Sequence, residues 1–262
     1  MPEGDTLFAA QFRLDPLLTG EVVREFWARK IRGYVPRAGQ TVVAVRAVGK
    51  HLLIDFDRNL TLQTHLGMTG SWRTADDAGL ARARRSPKLR VVIRVDAGAA
   101  LCFAAPTIST YVRSSGDTPV AHLGPNLTEA TLDFEEVLAR LTTFHDDRSL
   151  LVDVLLDQRV TAGVGNVFKS EILHHRRLPP YACLGSLSVD ERRELFAVAH
   201  HMMRANIAHP LSRRSTTTDG KLFVYGRLRL PCRRCDSPVR MVRNGTQHRS
   251  TYWCPTCQPP IT

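Results

Sequence analysis

The sequence predicts an α+β fold: a β-sandwich or barrel behind one N-terminal helix, then a helical middle, then a small C-terminal metal-binding module. Three observations predict it. Apolar runs of strand length fill residues 21–103, helical periodicity takes over from Thr131 to His209, and two Cys-x-x-Cys pairs close the chain. A length of 262 residues suits two domains and a small module. Hydrophobic residues, at 43 %, exclude a mainly disordered chain. The longest apolar stretch, Ala97 to Pro106, is far short of a bilayer span, so no membrane partner is expected. The acidic start Met1-Pro2-Glu3-Gly4-Asp5 has no basic or apolar leader segment, which points to a cytoplasmic location.

Taking the elements in order, Asp5 or Thr6 can cap a first helix carrying Leu7, Phe8, Phe12 and Leu18, which Gly20 ends. Strand-like runs follow at Glu21–Phe26, Thr41–Val48, His51–Phe56, Leu60–Thr64, Arg90–Val95 and Ala100–Phe103. The polar, Arg-rich stretch from Asp76 to Lys88 reads as a mobile loop. In the middle, Leu132, Val137, Leu138 and Leu141 fit one helix, and Leu151, Val154 and Leu155 another. Ser188 and Glu191 form a capping box that opens a long helix, with Leu195, Val198, Ala199, Met202 and Ile207 on its apolar stripe.

The cysteines carry the most specific local signal. Cys232/Cys235 and Cys254/Cys257 are two Cys-x-x-Cys pairs with zinc-ribbon spacing, each on a turn that brings two thiolates to one tetrahedral centre. Four Cys ligands leave no open position, so a single structural Zn2+ is expected rather than a catalytic one. Between the pairs, Val239–Val242 and Gln247–Trp253 read as two strands, and Asn244-Gly245 as their hairpin turn. Cys102 and Cys183 lie far from the module and read as buried free thiols.

Charge points to the partner. The net charge is +11, and from Leu211 onward ten Lys or Arg, including Arg213 and Arg249, stand against Asp219 and Asp236, so +8 of it lies in the last fifth of the chain. A basic run over a cysteine framework favours a nucleic acid over a merely solvated face. Thr161-Ala-Gly163-Val-Gly165-Asn166 sits between helices. Gly163 and Gly165 permit a tight turn, and the helix start beyond it offers free N–H groups to a phosphate. A simple interhelical turn explains the same residues.

Two further features bear on chemistry. Only five of the 36 basic residues are lysines, and Lys50 follows Gly49 between two strands, where burial can shift an ammonium toward proton transfer. Removal of Met1 would leave Pro2 as a secondary amine beside the carboxyl of Glu3. An α-amine titrates near pH 8, about two units below lysine, so much of it is free base at neutral pH. Such an amine attacks an aldehydic carbon, and the iminium formed is an electron sink for eliminations.

Four signals stand in one order: Met-Pro-Glu-Gly at the start, Val-Gly-Lys-His-Leu at 48–52, Gly-Val-Gly-Asn at 163–166, and the terminal ribbon ending Arg-Ser-Thr-Tyr-Trp-Cys-Pro-Thr-Cys-Gln. Together they resemble the formamidopyrimidine-DNA glycosylase/endonuclease VIII family across essentially the whole chain. The resemblance implies an N-terminal β-sandwich with flanking helices over residues 1–120, a helix–two-turns–helix DNA-binding domain over 121–210, and a basic segment with a zinc finger over 211–262. It implies a monomer acting on double-stranded DNA that contains damaged bases or abasic sites, with the DNA in the cleft between the two halves.

Residue by residue, the resemblance makes Pro2 the nucleophile that attacks C1′ and Glu3 the acid that assists sugar-ring opening. It makes Lys50 a phosphate contact and the proton donor in β-elimination. Asn166 becomes the backbone-phosphate holder and Arg249 the finger-tip phosphate clamp assigned to δ-elimination. Extrusion of a base from the duplex leaves a gap, and Met68, in the loop from His65 to Trp72, matches the wedge that fills it, the alternative being a core methionine.

The sequence also departs from the family pattern. Thr6 stands where many members carry a second glutamate, with Asp5 just before it, and His122 stands where some endonuclease VIII members carry an arginine. Gln247 and His248 have no assigned role. The start Pro-Glu-Gly-Asp-Thr and a short Ser212–Tyr225 stretch favour the endonuclease VIII branch and oxidised pyrimidines. Oxidised purines are the alternative within the family, and a non-enzymatic zinc-ribbon nucleic-acid-binding protein is the alternative outside it.

Overall fold

The computed structural model describes residues 2–116, 118–212, 214–216 and 219–260. Met1 and Arg213 of the basic run lie outside the described residues. The chain forms two compact units, Met1–Ala121 and His122–Thr262.

The first unit opens with α1 (Gly4–Leu18) and continues through β1 (Glu25–Ala28), β2 (Val42–Val48), β3 (His51–Phe56), β4 (Leu60–His65) and β5 (Ser71–Ala75). It then runs through α2 (Asp77–Ala83), β6 (Leu89–Val95), β7 (Gly98–Phe103) and β8 (Thr107–Val112). Two antiparallel four-stranded sheets result, in the orders β1-β6-β7-β5 and β2-β3-β4-β8. One apolar cluster gathers Leu7, Leu14, Ile54, Phe56, Leu62 and Ile93 from α1 and both sheets, giving the sandwich with its flanking helix. Each fully buried Leu, Ile or Phe contributes about 1.5–3 kcal/mol, so this cluster is what fixes α1 against the strands. The β2–β3 connection is a two-residue hairpin turn, Val48 pairing with His51, and Gly49 takes a φ of +55° there. A glycine at that position places Lys50 on the tip without steric cost.

Several expectations for this unit need correction. The stretch expected to be a mobile loop contains α2: Asp76 caps it by accepting from the Gly79 N–H at 2.7 Å, and Leu80 and Ala83 join a small cluster with Leu89, Val92 and Leu101. The sparse apolar pair at i and i+3 is enough because the sheet supplies the rest of the surface. The N-cap of α1 is Glu3, not Asp5 or Thr6, and Phe12 points outward at 52 % exposure. Strands β5 and β8 form over segments without clear alternation; each is paired along its length to a central strand, β7 or β4.

The second unit holds α3 (Phe134–Phe144), α4 (Leu151–Leu156), α5 (Asn166–His175), α6 (Val189–Ile207) and the hairpin β9 (Arg240–Asn244) and β10 (Arg249–Trp253). The Ser188/Glu191 capping box opens α6, and Met202 and Met203 are core. Helix α5 is not amphipathic: residues 166–174 are all buried, polar ones included. The finger hairpin pairs Asn244 with Arg249, so its loop is the four residues Gly245–His248. The expected hairpin forms, but of Asn244 and Gly245 only the glycine belongs to its turn. Positive φ falls on Gly245 (+73°) and His248 (+47°), and Asn244 stays in the strand, where its side chain accepts from the Thr251 hydroxyl at 2.8 Å. Cys102 is buried, and its thiol is pushed up to about 12 by that burial, whereas Cys183 is only half-buried. Among the described residues no helix is long and apolar enough to cross a membrane.

Candidate active site and DNA interface

In the first unit the chain start is anchored by the helix it begins. The Glu3 carbonyl accepts from the N–H groups of Thr6 (2.9 Å) and Leu7 (3.2 Å), and its own N–H donates to the Thr6 hydroxyl at 3.4 Å. Glu3 is wholly buried at the N-cap, directly after a half-buried Pro2. The two residues singled out at the chain start are thus held side by side at the head of α1. The Asp5 carboxylate accepts from the Thr6 N–H at 2.7 Å and the Thr6 hydroxyl at 3.2 Å, so these two residues at the family's departure point are bonded to each other.

Lys50 stands half-buried on the β2–β3 tip. Beside it, the rings of His51 and His65 lie 5.1 Å apart. A chain of hydrogen bonds runs from the Ser109 hydroxyl to Gln63 Oε1 (3.1 Å) and from Gln63 Nε2 to His51 Nδ1 (2.9 Å). Burial first, and the Lys50 ammonium second, lower the pKa of His65, which keeps that imidazole neutral at neutral pH. After His65 the chain turns through Gly67, whose φ is +59° and whose absent Cβ would lie 2.8 Å from Pro106. Gly70 has no room either, at 2.3 Å from the Leu66 carbonyl. This compact loop presents Met68 at 70 % exposure, which rules out the core alternative. Trp72 closes the loop by donating from Nε1 to the Thr64 hydroxyl at 3.0 Å.

In the second unit Gly163 takes a φ of +122° and donates its N–H to Gln158 Oε1 at 3.0 Å. Gly165 is the N-cap of α5, and Asn166 opens that helix. The Asn166 amide is held at both ends: Oδ1 accepts from Lys169 Nζ at 2.7 Å, and Nδ2 donates to the Ser250 hydroxyl at 3.0 Å. Lys169 is wholly buried and also donates to the Ser250 carbonyl at 3.1 Å. The residue beside Ser250 is Arg249, exposed, with Nε donating to Gln247 Oε1 at 3.3 Å. Farther along the same helix, the buried Glu171 carboxylate accepts from the Phe223, Val224 and Tyr225 N–H groups at 2.8–2.9 Å and from the Thr216 hydroxyl, so α5 also anchors the basic segment. A groove of about 970 Å³ is lined by His122, His145, Arg148, Asp153, Gln247 and His248, which brings together the three residues that had no assigned role.

The sulfurs of Cys232, Cys235, Cys254 and Cys257 all lie within 4.8 Å of one another. Three of the pairs are 3.4, 3.4 and 3.9 Å apart. Tetrahedral thiolate ligands at about 2.3 Å from one ion sit about 3.8 Å from each other, so the donor set suits one metal ion with every position filled by sulfur. His174 stacks on Phe223 and brings Nε2 to 3.5 Å from the Cys232 sulfur; burial, with Arg234 adding to it, pushes its pKa down to about 4.

Lys169, Glu171 and Asp153 were not singled out in the sequence. A signal for the first existed: with only five lysines in the chain, one inside a helix otherwise short of exposed positions is unusual. Nothing in the sequence marks Glu171 or Asp153.

The chain belongs to the formamidopyrimidine-DNA glycosylase/endonuclease VIII family of DNA-repair enzymes. Residues 1–110 match the formamidopyrimidine-DNA glycosylase N-terminal domain. Among curated relatives, the "probable endonuclease 8 2" of Streptomyces coelicolor is 36 % identical over 261 residues, covering 98 % of this chain and 94 % of that protein. The "DNA-(apurinic or apyrimidinic site) lyase Nei2" of Mycolicibacterium smegmatis is 34 % identical over 266 residues, covering 98 % and 99 %. The crystal structure of the MutM (Fpg) protein from Thermus thermophilus superposes with a TM-score of 0.80 at 27 % identity over 100 % of both chains.

Proposed function

We propose that this chain is a bifunctional DNA glycosylase and abasic-site lyase of base excision repair that removes oxidised bases, pyrimidines favoured, and nicks the strand by β,δ-elimination. The observation that carries the reading is Pro2 set against a wholly buried Glu3 at the head of α1. The Pro2 nitrogen attacks C1′, and the glycosidic bond breaks with its electron pair leaving on the base. Glu3 delivers a proton to the ring oxygen as the C1′–O4′ bond opens, which leaves a cationic iminium at C1′. The amine proton is shed to solvent as the C1′–N bond forms. The C2′ proton is then lost to solvent, its electron pair flows into the iminium, and the enamine so formed expels the 3′ phosphate. Loss of the C4′ proton then expels the 5′ phosphate in a second elimination. Lys50 is the proton donor in the first elimination; Arg249 and Asn166 hold backbone phosphates through charge-assisted and amide hydrogen bonds. Gly163 and Gly165 shape the turn that presents Asn166. Met68, exposed on a loop with no slack, is the wedge that fills the space of the extruded nucleotide.

The four cysteines hold one structural Zn2+, which folds the finger and supplies no chemistry to the reaction. The partner is duplex DNA carrying damaged bases or abasic sites, bound by a monomer in the cytoplasm. The chain divides into three parts, with boundaries after residues 120 and 210. The preference for pyrimidines rests on the endonuclease 8 name of the Streptomyces coelicolor relative, on the Pro-Glu-Gly-Asp-Thr start and on the short Ser212–Tyr225 stretch.

Borohydride trapping on an abasic-site duplex tests the nucleophile. A covalent adduct at residue 2 is expected, lost when Met1 is retained. An adduct on Lys50, or trapping with a blocked N-terminus, overturns the assignment. Incision of thymine glycol faster than 8-oxoguanine is expected; the reverse order overturns the pyrimidine preference alone.

A further inference from the structure

The finger hairpin has two ends, and a metal at the cysteines can hold only one of them. Cys254 directly follows β10, and Cys232 and Cys235 precede β9, so the thiolates gather at the base. The loop Gly245–His248 and Arg249 lie at the far end of five-residue strands, about 17 Å away along the chain. Two-stranded ribbons twist and bend, so an ion at the base does not by itself fix the tip.

Ser250, next to Arg249, is tied to Asn166 and Lys169 of α5, and the loop beyond it is clasped by α4. Asp153 accepts from the Thr246 N–H with both carboxylate oxygens, at 2.9 and 3.0 Å, and from the Thr246 hydroxyl at 3.1 Å. The approach is close enough that a Cβ on Gly245 would stand 2.5 Å from Asp153 Oδ1 and 3.1 Å from Val152. Asn244 adds one bond on the other side, from Nδ2 to the Pro180 carbonyl. Thr246, Gln247, His248 and Arg249 are otherwise exposed. A carboxylate next to a surface that receives a polyanion costs affinity through like-charge repulsion unless it serves another purpose. Here its two oxygens are taken up by the loop.

We propose that Asp153 is a positioning residue of the DNA interface: by holding Thr246 it sets the place of Gly245–His248, and through them the guanidinium of Arg249 on a backbone phosphate. The inference rests on Arg249 acting as a phosphate clamp. Its test is a double-mutant cycle on the zinc-loaded full chain, read as affinity for a duplex with a tetrahydrofuran abasic analogue across a salt series. Loss of one charged phosphate contact is worth about tenfold in affinity, so Arg249→Ala and Asp153→Ala should each weaken binding to that degree and flatten the salt slope. The double variant should bind no worse than Arg249→Ala alone, with one zinc retained throughout. Asp153→Asn keeps one acceptor oxygen and should fall between wild type and Asp153→Ala.

Losses that multiply in the double variant, or wild-type salt dependence in Asp153→Ala, overturn the proposal. Should Asp153→Ala fail to fold, Gly245→Ala displaces the loop with the carboxylate still present, and the same non-additivity with Arg249→Ala is required of it. Wild-type affinity in Arg249→Ala overturns the clamp reading and the proposal with it, and that failure is recognised from the single Arg249 variant.

Discussion

The two units hold their candidate residues by different physics. In Met1–Ala121 the chain start and the Lys50 hairpin hang on one continuous apolar cluster shared by α1 and both sheets. In His122–Thr262 the equivalent residues hang on polar and ionic groups: the buried Lys169 under Asn166, the buried Glu171 under Phe223–Tyr225, the half-buried Asp153 under the finger tip, and four thiols at its base. Apolar cohesion is spread over many side chains, so one loss is local. A buried ion satisfies several partners at once, and its loss strands them all.

The strongest way to sharpen that contrast is to remove the metal. Cys254→Ser is expected to lose zinc and to cut incision of an abasic-site duplex by about 100-fold or more, because small metal-bound modules fold on their ion. Hydrogen exchange should show β9 and β10 unprotected while the β3 and β4 amides keep their protection. Equal loss in both regions would break the comparison.

A smaller effect is expected from cutting one supporting group in each unit. Glu171→Ala removes the acceptor shared by the buried Val224 N–H and the half-buried Phe223 and Tyr225 N–H groups, for a net loss of about 3 kcal/mol. Leu62→Ala in the sandwich should cost a similar amount, about 2–5 kcal/mol, by opening a cavity. The two differ in what else changes. Only Glu171→Ala should expose the chain at Phe223–Tyr225 to limited proteolysis, since that carboxylate anchors its N–H groups.

The smallest effect concerns acid. Burial pushes Asp55 up, but hydrogen bonds from Arg46 and Thr61 and the charge of Arg113 outweigh it and hold the carboxyl below the usual aspartate value. In the second unit burial likewise opposes, and Arg159 and His145 overcome it at Asp157. A carboxyl depressed in the folded state adds stability that is full above the unfolded value of about 4 and is lost as pH falls through the folded value. Urea midpoints should therefore be level down to about pH 5 and drop below pH 4, with Asp55→Asn and Asp157→Asn each flattening the drop. A rise in stability on acidification would contradict these assignments.

Where the sequence was legible, a single periodicity decided the element. The runs at Thr41–Val48, His51–Phe56 and Arg90–Val95 appear as β2, β3 and β6 within a residue or two, and the Ser188 box opens α6 where expected. Failures came where a neighbour overrode the local pattern. Strands β5 and β8 exist because β7 and β4 offer open ladders, and α2 exists because the sheet covers its narrow apolar face. Asn244-Gly245 satisfied the rule for a tight hairpin, yet Asn244 is drawn into the ladder opposite Arg249 and by the Pro180 carbonyl. At the candidate site, short motifs showed which side chains to watch; the supporting acids were invisible, and the buried lysine was marked only by the scarcity of lysines in the chain. A polar residue on a helix reads as solvent-facing until the whole helix is seen to be enclosed.

That enclosure gives α5 a property of its own, a fixed rotational phase. Successive residues turn by about 100° around a helix, so Asn166, Lys169, Ser170, Glu171 and His174 spread over roughly 200° of its circumference. Within that arc they meet a serine of β10, the backbone of β10, the segment at 223–225 and a cysteine of the metal cluster. Inserting or deleting one residue after Asn166 would leave that asparagine in place and swing every later partner by about 100°. No shift of a neighbouring loop could restore all of them together, so the ten residues of α5 act as a keyed shaft whose length cannot drift. Differences in length between homologous chains are accordingly expected in the segments joining the helices, outside Asn166–His175.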